Sequence, residues 1–263
     1  MPEPRDKTGL SDKRGLSVEA LERAAARHWQ APDTEPLGEW SLRAAAGFTG
    51  RANSALPLGD PGRPLPGAVT AVEAWYRARD LRPMIVLPQG AGPAHLENLL
   101  TERGWLPRPG PAFVMIADID APFGSREASA VKFTAAPDDA FLGLYRYRGQ
   151  DLPPIARTLM MSAPWQAFGS IRRDGQAVAV GRVSVAHHEN GALLGVLTAV
   201  EVDAAYRGQG LGVAITAGLV EAAASRGATR ILLQVETGND PARALYLRCG
   251  FQDSHRYHYM MAP

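Results

Sequence analysis

The sequence predicts a mixed α/β fold, an α+β arrangement built on a mixed sheet. Short apolar runs of strand length alternate with stretches that have helical periodicity. Glycine and proline, with 27 and 21 residues, mark turns between these stretches. In the second half of the chain, strands and helices follow one another in the order that gives a layered α/β architecture.

The first half predicts three helices and three strands behind a polar tail at residues 1–15. Ser17 is a candidate N-cap for the first helix. A loop at 47–67 is long enough to be functional or mobile. The helices are predicted at 18–29, 68–79 and 94–103, and the strands at 40–44, 84–87 and 113–117.

A chain of 263 residues can hold two domains of roughly 100–200 residues each. Residues 118–129 form the best linker, since they are polar and carry Pro122 and Gly124. We therefore expect one domain at 16–120 and a second at 130–263.

The second half predicts six strands and four helices with clear punctuation between them. Asp174-Gly175 is a strong hairpin dipeptide, Asn239 and Pro241 suit a helix start, and Gly250 suits a helix end. The strands are predicted at 131–134, 167–173, 176–186, 192–202, 230–236 and 252–260, and the helices at 138–147, 154–161, 208–225 and 241–249.

Composition excludes several classes of function. The net charge of +1 favours neither nucleic acid nor an anionic membrane as a partner. The single cysteine, Cys249, excludes an internal disulfide and a zinc site built on several thiolates. The longest apolar stretch, 191–200, is too short to span a bilayer. We expect a cytoplasmic protein without a metal, and the sequence leaves monomer and homodimer open.

The most informative segment is 200–213, where a strand leads through a glycine-rich turn into a long helix. Gly208, Gly210 and Gly212 let the backbone approach a ligand, and the helix N-terminus offers unpaired N–H groups and a positive dipole end. Arg207 adds a fixed positive charge. The pattern predicts a pyrophosphate site; the alternative is a glycine-rich helix start without a ligand.

Two other nucleotide motifs fit this segment poorly. A dinucleotide-binding turn would have Gly or Ala at Val213 and an acid about 20 residues later. Residues 228–231 offer no carboxylate there. A Walker loop would need the Gly-Lys-Ser/Thr sequence, which is absent.

The motifs resemble those of the GNAT superfamily of N-acyltransferases. Arg207-Gly-Gln-Gly210-Leu-Gly212 fits the family signature Arg/Gln-x-x-Gly-x-Gly/Ala, and 233–239, 244–246 and 250–251 follow at family spacing. This resemblance covers residues 131–263. The whole chain is similar to actinobacterial tandem GNAT proteins, in which the N-terminal half is a degenerate GNAT-like domain.

The resemblance implies that acetyl-CoA is the co-substrate and that a small-molecule or peptide amine accepts the acetyl group by direct attack. Asn239 would contact the cofactor where two parallel strands diverge, and Tyr246 would protonate the leaving thiolate. The alternatives are a helix cap for Asn239 and packing for Tyr246. The other implied contacts are Val200, Glu201 and Val202 for the pantetheine arm, and Arg207, Gly208, Gln209, Gly210, Leu211, Gly212 and Val213 for the pyrophosphate.

The general base is not evident. The pKa of a lysine-like amine lies about 3.4 units above neutral pH, so deprotonating the amine at pH 7 costs about 4.6 kcal/mol. The family positions for a base are Val196, Thr198 and Gln234, which cannot serve. Alternation puts Glu201 on the opposite strand face. Glu236 is the leading candidate, and a carboxylate of the first half or bound water stays open.

The first half lacks a glycine cradle, so we expect no cofactor there and an acceptor-site role instead. Arg43, Arg51 and Asn53 could line the acceptor pocket; the alternative is a solvated loop. Because Gln234 stands at a family base position, a non-catalytic acyl-CoA-binding regulatory or sensor module is the competing function.

Overall fold

The computed structural model describes residues 16–121, 123, 130–147, 149–188 and 191–263. The predicted tail at 1–15 and most of the predicted linker lie outside the described residues. The predicted helices and strands of the first half are confirmed, with α1 and α3 shorter than expected. Its elements are α1 (Val18–Ala26), β1 (Asp33–Leu37), β2 (Trp40–Ala44), α2 (Leu65–Arg77), β3 (Met84–Pro88), α3 (Leu96–Glu102), β4 (Leu106–Pro107) and β5 (Ala112–Asp118).

The second half follows its predicted order. The helix expected from 208 begins only at Leu211, because Gly208 and Gly210 have positive φ angles of 77° and 82°. Its elements are β6 (Lys132–Thr134), α4 (Asp139–Leu144), α5 (Ile155–Met160), β7 (Trp165–Arg173), β8 (Gln176–His187), β9 (Leu193–Val202), α6 (Leu211–Ala224), β10 (Arg230–Glu236), α7 (Asp240–Arg248) and β11 (Gln252–Met261).

Local signals in the sequence set the ends of these elements. The Ser17 side chain accepts a hydrogen bond of 3.1 Å from the Ala20 N–H and caps α1. Gly250 ends α7 with φ of 87°. The N–H of Phe251 then donates to the Tyr246 carbonyl at 3.0 Å. This closure fixes the end of α7 against the core.

The two halves of the chain share one large sheet. Across the described ranges its strand order is β3-β11-β5-β10-β9-β8-β7-β6, and β4 pairs with β11. Strand β5 of the first half thus lies between β10 and β11 of the second half. The division at 16–120 and 130–263 stays a prediction, and the shared sheet fixes the relative position of the two ranges.

Helices cover both faces of this sheet. Helix α6 packs on β7, β8 and β9 around a large apolar core. Helix α1 lies with the sheet residues Val196 and Leu232 in a second cluster, and α4 and α5 pack around Phe168 and Val180. Helix α6 therefore covers one face of the sheet, and α1, α4 and α5 cover the other.

The long loop at 47–67 is packed rather than solvated. Residues 52–58 are buried. Ala55 also forms an isolated parallel bridge with Ile85 of β3. The loop therefore presents fixed side chains towards the centre of the molecule. In the part of the chain that the structure describes, every helix is too short or too polar to cross a membrane.

Candidate functional site

The parallel strands β9 and β10 diverge at the centre of the sheet. They pair from Leu194↔Arg230 to Leu197↔Leu233, and the pairing stops there although both strands continue. The divergence implied by the family resemblance is confirmed. It leaves one backbone edge of β9 turned away from its former partner, and an extended ligand could pair with that edge.

A bulge in β9 changes which side chains face the gap. Arg182 of β8 pairs with Thr198, whereas Val180 pairs with Glu201, so β9 has one extra residue there. Ala199 absorbs it with a φ of 53°. Because of this extra residue, Glu201 lies on the same face as Thr198. The prediction that alternation places Glu201 on the opposite face is wrong.

A cavity of about 350 Å³ opens where the strands diverge. It brings together the two predicted catalytic residues, Tyr246 and Glu236, with Glu201, Asn239 and Arg51. Both halves of the chain contribute to its wall. Further lining residues from the first half are Thr49, Gly50, Arg108, Gly110 and Ala112.

Tyr246 belongs both to the core and to the cavity. It is 8% exposed. Its ring meets Phe251 edge-on at a centroid distance of 5.7 Å. Burial raises the pKa of the Tyr246 hydroxyl above its usual value, and the Glu201 carboxylate adds to the rise. The hydroxyl therefore stays protonated at neutral pH and can act as a proton donor.

The two carboxylates of the cavity differ in their surroundings. Glu236 is exposed at the end of β10, two residues after Gln234 and on the same strand face. The Glu201 side chain is 28% exposed and accepts a hydrogen bond of 3.2 Å from Arg207. Glu236 is thus the more exposed of the two carboxylates, and Glu201 lies beside Arg207.

The glycine turn before α6 fits an anionic ligand. Space is open where a side chain at Gly208 or Gly210 would begin. The first turn of α6 has no side-chain cap. The N–H of Val213 already donates to the Gly210 carbonyl at 3.0 Å, so the donors available to a ligand precede it. These features suit a pyrophosphate, as the sequence predicts.

The other predicted residues of this turn have separate structural tasks. A Cβ at Gly212 would stand 2.4 Å from Leu245 Cδ1, so this glycine lets α6 and α7 approach each other. The Leu211 side chain is buried in the core, which leaves only its backbone for a ligand. Gln209 is exposed, as is Arg207, which donates to the Val202 carbonyl at 3.2 Å.

Asn239 is a helix cap at the cavity wall. Its side-chain oxygen accepts a hydrogen bond of 3.2 Å from the Ala242 N–H at the start of α7. The capping interpretation is therefore confirmed. Asn239 also lines the cavity, so capping and ligand contact are compatible there.

The three residues predicted for the acceptor pocket separate in the structure. Arg51 lines the cavity. Arg43 is buried behind it and donates to the Ser54 carbonyl at 3.0 Å. Burial lowers the pKa of Arg43. Arg43 lines a small pocket of about 20 Å³ next to the main cavity.

Asn53 holds the loop together rather than facing the cavity. Its side-chain oxygen accepts from the N–H groups of Ala45 and Gly47 at 2.8 and 2.9 Å. Its amide donates to the carbonyls of Phe48 and Thr49 at 2.7 and 2.9 Å. All of these partners are backbone groups, so Asn53 shapes the segment that presents Arg51.

Four tyrosines of the cavity were missed in the sequence. Tyr257 and Tyr259 are two residues apart on β11, and this spacing could have shown that they share a face. The other two, Tyr145 and Tyr147, follow α4, where the sequence predicted more helix. Within the described residues, no group of three or more His, Cys, Asp or Glu side chains could hold a metal ion.

A family model matches residues 17–260, and its description is "Probable histone acetyltransferase Rv0428c C-terminal". The chain belongs to this family of GNAT acetyltransferases. It is 30% identical over 253 residues to the "Probable histone acetyltransferase Rv0428c" of Mycobacterium tuberculosis, which covers 95% of this chain and 75% of that protein. It is 27% identical over 249 residues to the "Uncharacterized N-acetyltransferase YobR" of Bacillus subtilis, covering 92% and 97% of the two chains.

Solved structures confirm the GNAT fold. A GCN5-related N-acetyltransferase from Kribbella flavida superimposes with a TM-score of 0.70 at 19% identity, covering 95% of this GNAT acetyltransferase and 97% of that chain. A tandem GNAT protein from the clavulanic acid biosynthesis pathway gives 0.53 at 16% identity, covering 97% and 90%. These structures confirm the predicted fold, and the family match and the named relatives confirm the predicted acetyltransferase enzyme.

Proposed function

We propose that this enzyme transfers the acetyl group of acetyl-CoA to a primary amine by direct attack. One observation carries the proposal. The gap between β9 and β10 opens into a cavity that contains a protonated phenol and two carboxylates, Tyr246, Glu201 and Glu236. An acid and a base on one cavity wall are what amine acetylation requires.

The residues that would hold acetyl-CoA run from the gap to the start of α6. The open backbone edge at 200–202 would pair with the amide groups of the pantetheine arm. The turn at Gly208 and Gly210 would receive the pyrophosphate, and Arg207 would add positive charge. Bound there, acetyl-CoA supplies a thioester whose carbonyl carbon accepts a nucleophile.

The chain's own groups would move two protons. Glu236 would accept a proton from the amine, which lowers the cost of presenting a neutral nitrogen. The new C–N bond forms as the C–S bond breaks, and Tyr246 would donate its proton to the departing sulfur. As the amide forms, the nitrogen would lose its second proton to solvent. The proton held by Glu236 would return through solvent to the Tyr246 phenolate, which restores both groups.

The competing function is a non-catalytic module that binds acyl-CoA and senses it. Gln234 favours this alternative, because a glutamine stands at a position where the family has a general base. Glu236 and Glu201 favour catalysis, because the cavity that Tyr246 lines retains two carboxylates. Both relatives are named as acetyltransferases, which favours the same side.

An acceptor screen tests the proposal. The purified protein is incubated with acetyl-CoA and a panel of amines, thiol release is followed, and CoA binding is measured in parallel by calorimetry. We expect CoA to bind and thiol release to depend on at least one amine. Binding without amine-dependent release across the panel would support the sensor module, and a lack of CoA binding would contradict both functions.

A further inference from the structure

We infer that the acceptor amine also carries an anionic oxygen group, a carboxylate or a phosphate, and that Arg51 and Arg108 bind it. The inference rests on the proposed function and names the class of its acceptor. It concerns the part of the cavity wall formed by the first half of the chain, where Arg51 meets Gln234 at the gap between β9 and β10.

Arg51 carries a charge that the protein does not balance. Its guanidinium donates to the side-chain oxygen of Gln234, a neutral group, and lies 5.4 Å from the centroid of the Trp29 ring. Among the described residues, no carboxylate forms an ion pair with it. A guanidinium has five N–H donors, so several remain available. A half-buried charge of this kind gains most from a bound anion.

Arg108 places a second such charge beside the first. A Cβ at Gly50 would stand 2.5 Å from Arg108 Nη1, so this guanidinium lies against the backbone next to Arg51. It also lies 5.5 Å from the centroid of the Tyr259 ring. In the described part of the chain it too has no carboxylate partner. By contrast, the nearby Arg146 is paired with Asp151 at 2.6 Å.

The cavity that the two arginines line is also lined by four tyrosines, Tyr145, Tyr147, Tyr257 and Tyr259. Burial raises the pKa of Tyr257 to about 12, despite the opposing effect of Arg51. Burial likewise raises the pKa of Tyr145 to about 12. These hydroxyls stay protonated and can donate hydrogen bonds to an anion. Two guanidinium groups and several phenols form a donor set that suits carboxylate or phosphate oxygens.

The strand geometry sets the separation of amine and anion. Arg51 contacts Gln234, and Glu236 stands two residues further along the same face of β10. Two strand residues span roughly 7 Å. An acceptor with its amine beside Glu236 and its anionic group beside Arg51 would therefore be a compact zwitterion. Polyamines, aminoglycosides and lysine-rich peptide tails place further positive charge where the cavity is already cationic.

Two pairs of probes test the inference. 4-Aminobutyrate is compared with its amide, and O-phosphoethanolamine with ethanolamine, in thiol release with acetyl-CoA and in calorimetric binding without it. We expect the anionic member of at least one pair to be preferred about tenfold or more in kcat/KM and in Kd. The pair that shows the preference identifies the anion.

Variants assign the preference to the arginines. Arg51→Met and Arg108→Met should each lower the preference for the anionic probe to about threefold or less. The change should lie mainly in KM, since a charged hydrogen bond is lost. Arg77→Met, which removes an exposed arginine of α2, should leave it unchanged. Should Arg51→Met fail to fold, Arg108→Met and the probe pairs with the unaltered protein decide the matter.

Equal use of the anionic and neutral members, or a preference that persists in folded Arg51→Met and Arg108→Met, would overturn the inference. Turnover of neutral amines would in that case leave the proposed function intact. Conversely, preferred binding of an anionic probe that Arg51→Met abolishes, without turnover of any amine, would uphold the anion subsite and contradict the proposed acetyl transfer.

Discussion

Arg207 donates a hydrogen bond of 3.2 Å to Oε1 of Glu201, and this bond joins the glycine turn to the cavity wall. The two residues belong to neighbouring parts of the proposed cofactor path, the glycine turn and the end of β9. Arg207 stands where a pyrophosphate would lie, whereas Glu201 lines the cavity beside Tyr246. A ligand that attracts the guanidinium would therefore change the charge balance of the cavity.

The glycine turn gives the first prediction. Gly210→Asp puts a carboxylate where the pyrophosphate would lie, and we expect CoA binding to weaken about tenfold or more, equivalent to about 1.4 kcal/mol. Gly175→Asp is the matched control. Gly175 has the same φ of 82° and the same open space, but it lies in the β7–β8 turn. Calorimetry should show equal CoA affinities for the control and the unaltered protein; a folded Gly210→Asp with that affinity too would contradict the cofactor site.

Tyr246→Phe tests the proton donor. The change removes only the hydroxyl and keeps the ring on Phe251, so we expect kcat to fall about tenfold to a thousandfold. CoA affinity and melting temperature should change little. Because the pKa of the hydroxyl is raised, the unaltered enzyme should not lose this donor on moving from pH 7 to pH 9. Full kcat in the variant, with chemistry rate-limiting, would leave Tyr246 a packing residue only.

Separate substitutions of the two carboxylates should give different pH profiles. Glu236→Gln should lose rate mostly at lower pH and partly recover as the pH nears the pKa of the acceptor amine, because the neutral amine then forms without a base. Glu201→Gln should have the smaller effect, since Glu201 is held by Arg207. The opposite order in pH–rate profiles would identify Glu201 as the base.

Acid should destabilise the protein through His28. Its Nδ1 lies 2.9 Å from Ser184 Oγ. Burial, helped by the charges of Arg182 and Arg27, lowers its pKa to about 3. Below pH 6.5 the His28 side chain binds a proton in the unfolded chain but stays neutral in the folded chain. The free energy of unfolding therefore decreases as the pH is lowered, by up to about 1.4 kcal/mol per pH unit.

His28→Phe should remove this part of the pH dependence. We expect the loss of unfolding free energy between pH 7 and pH 5, measured with denaturant, to be smaller in His28→Phe than in the unaltered protein. His187→Gln, at an exposed position, should behave like the unaltered protein. Identical pH dependence in His28→Phe would show that His28 is protonated in the folded state.

The sequence predicted those parts of the site that depend on local signals. Asn239 and Gly250 mark the ends of α7 and thereby place Tyr246. Glycine at 208 and 210 predicts a turn, because glycine readily adopts the positive φ angles that a turn needs. These features depend on residues close in sequence. The structure confirms the ends of α7, whereas α6 begins at Leu211 and not at 208.

Features that depend on distant pairing could not be predicted in this way. The bulge that turns Glu201 towards the cavity falls on Ala199, which carries no glycine signal. The insertion of β5 between β10 and β11 involves partners more than a hundred residues apart in the chain. Asn53 was a candidate ligand contact because it is a polar residue of the long loop, but its side chain bonds backbone groups of residues 45–49.

Mass spectrometry of the acceptor tests acetyl transfer in this cavity most directly. An amine that supports thiol release is incubated with acetyl-CoA and the unaltered protein, or with Tyr246→Phe at equal CoA occupancy. We predict one acetyl group per thiol released, bound through the amine nitrogen, and product formation about tenfold or more slower in the variant. Thiol release without an acetylated amine, or equal rates from the two proteins with chemistry rate-limiting, would contradict transfer by this site.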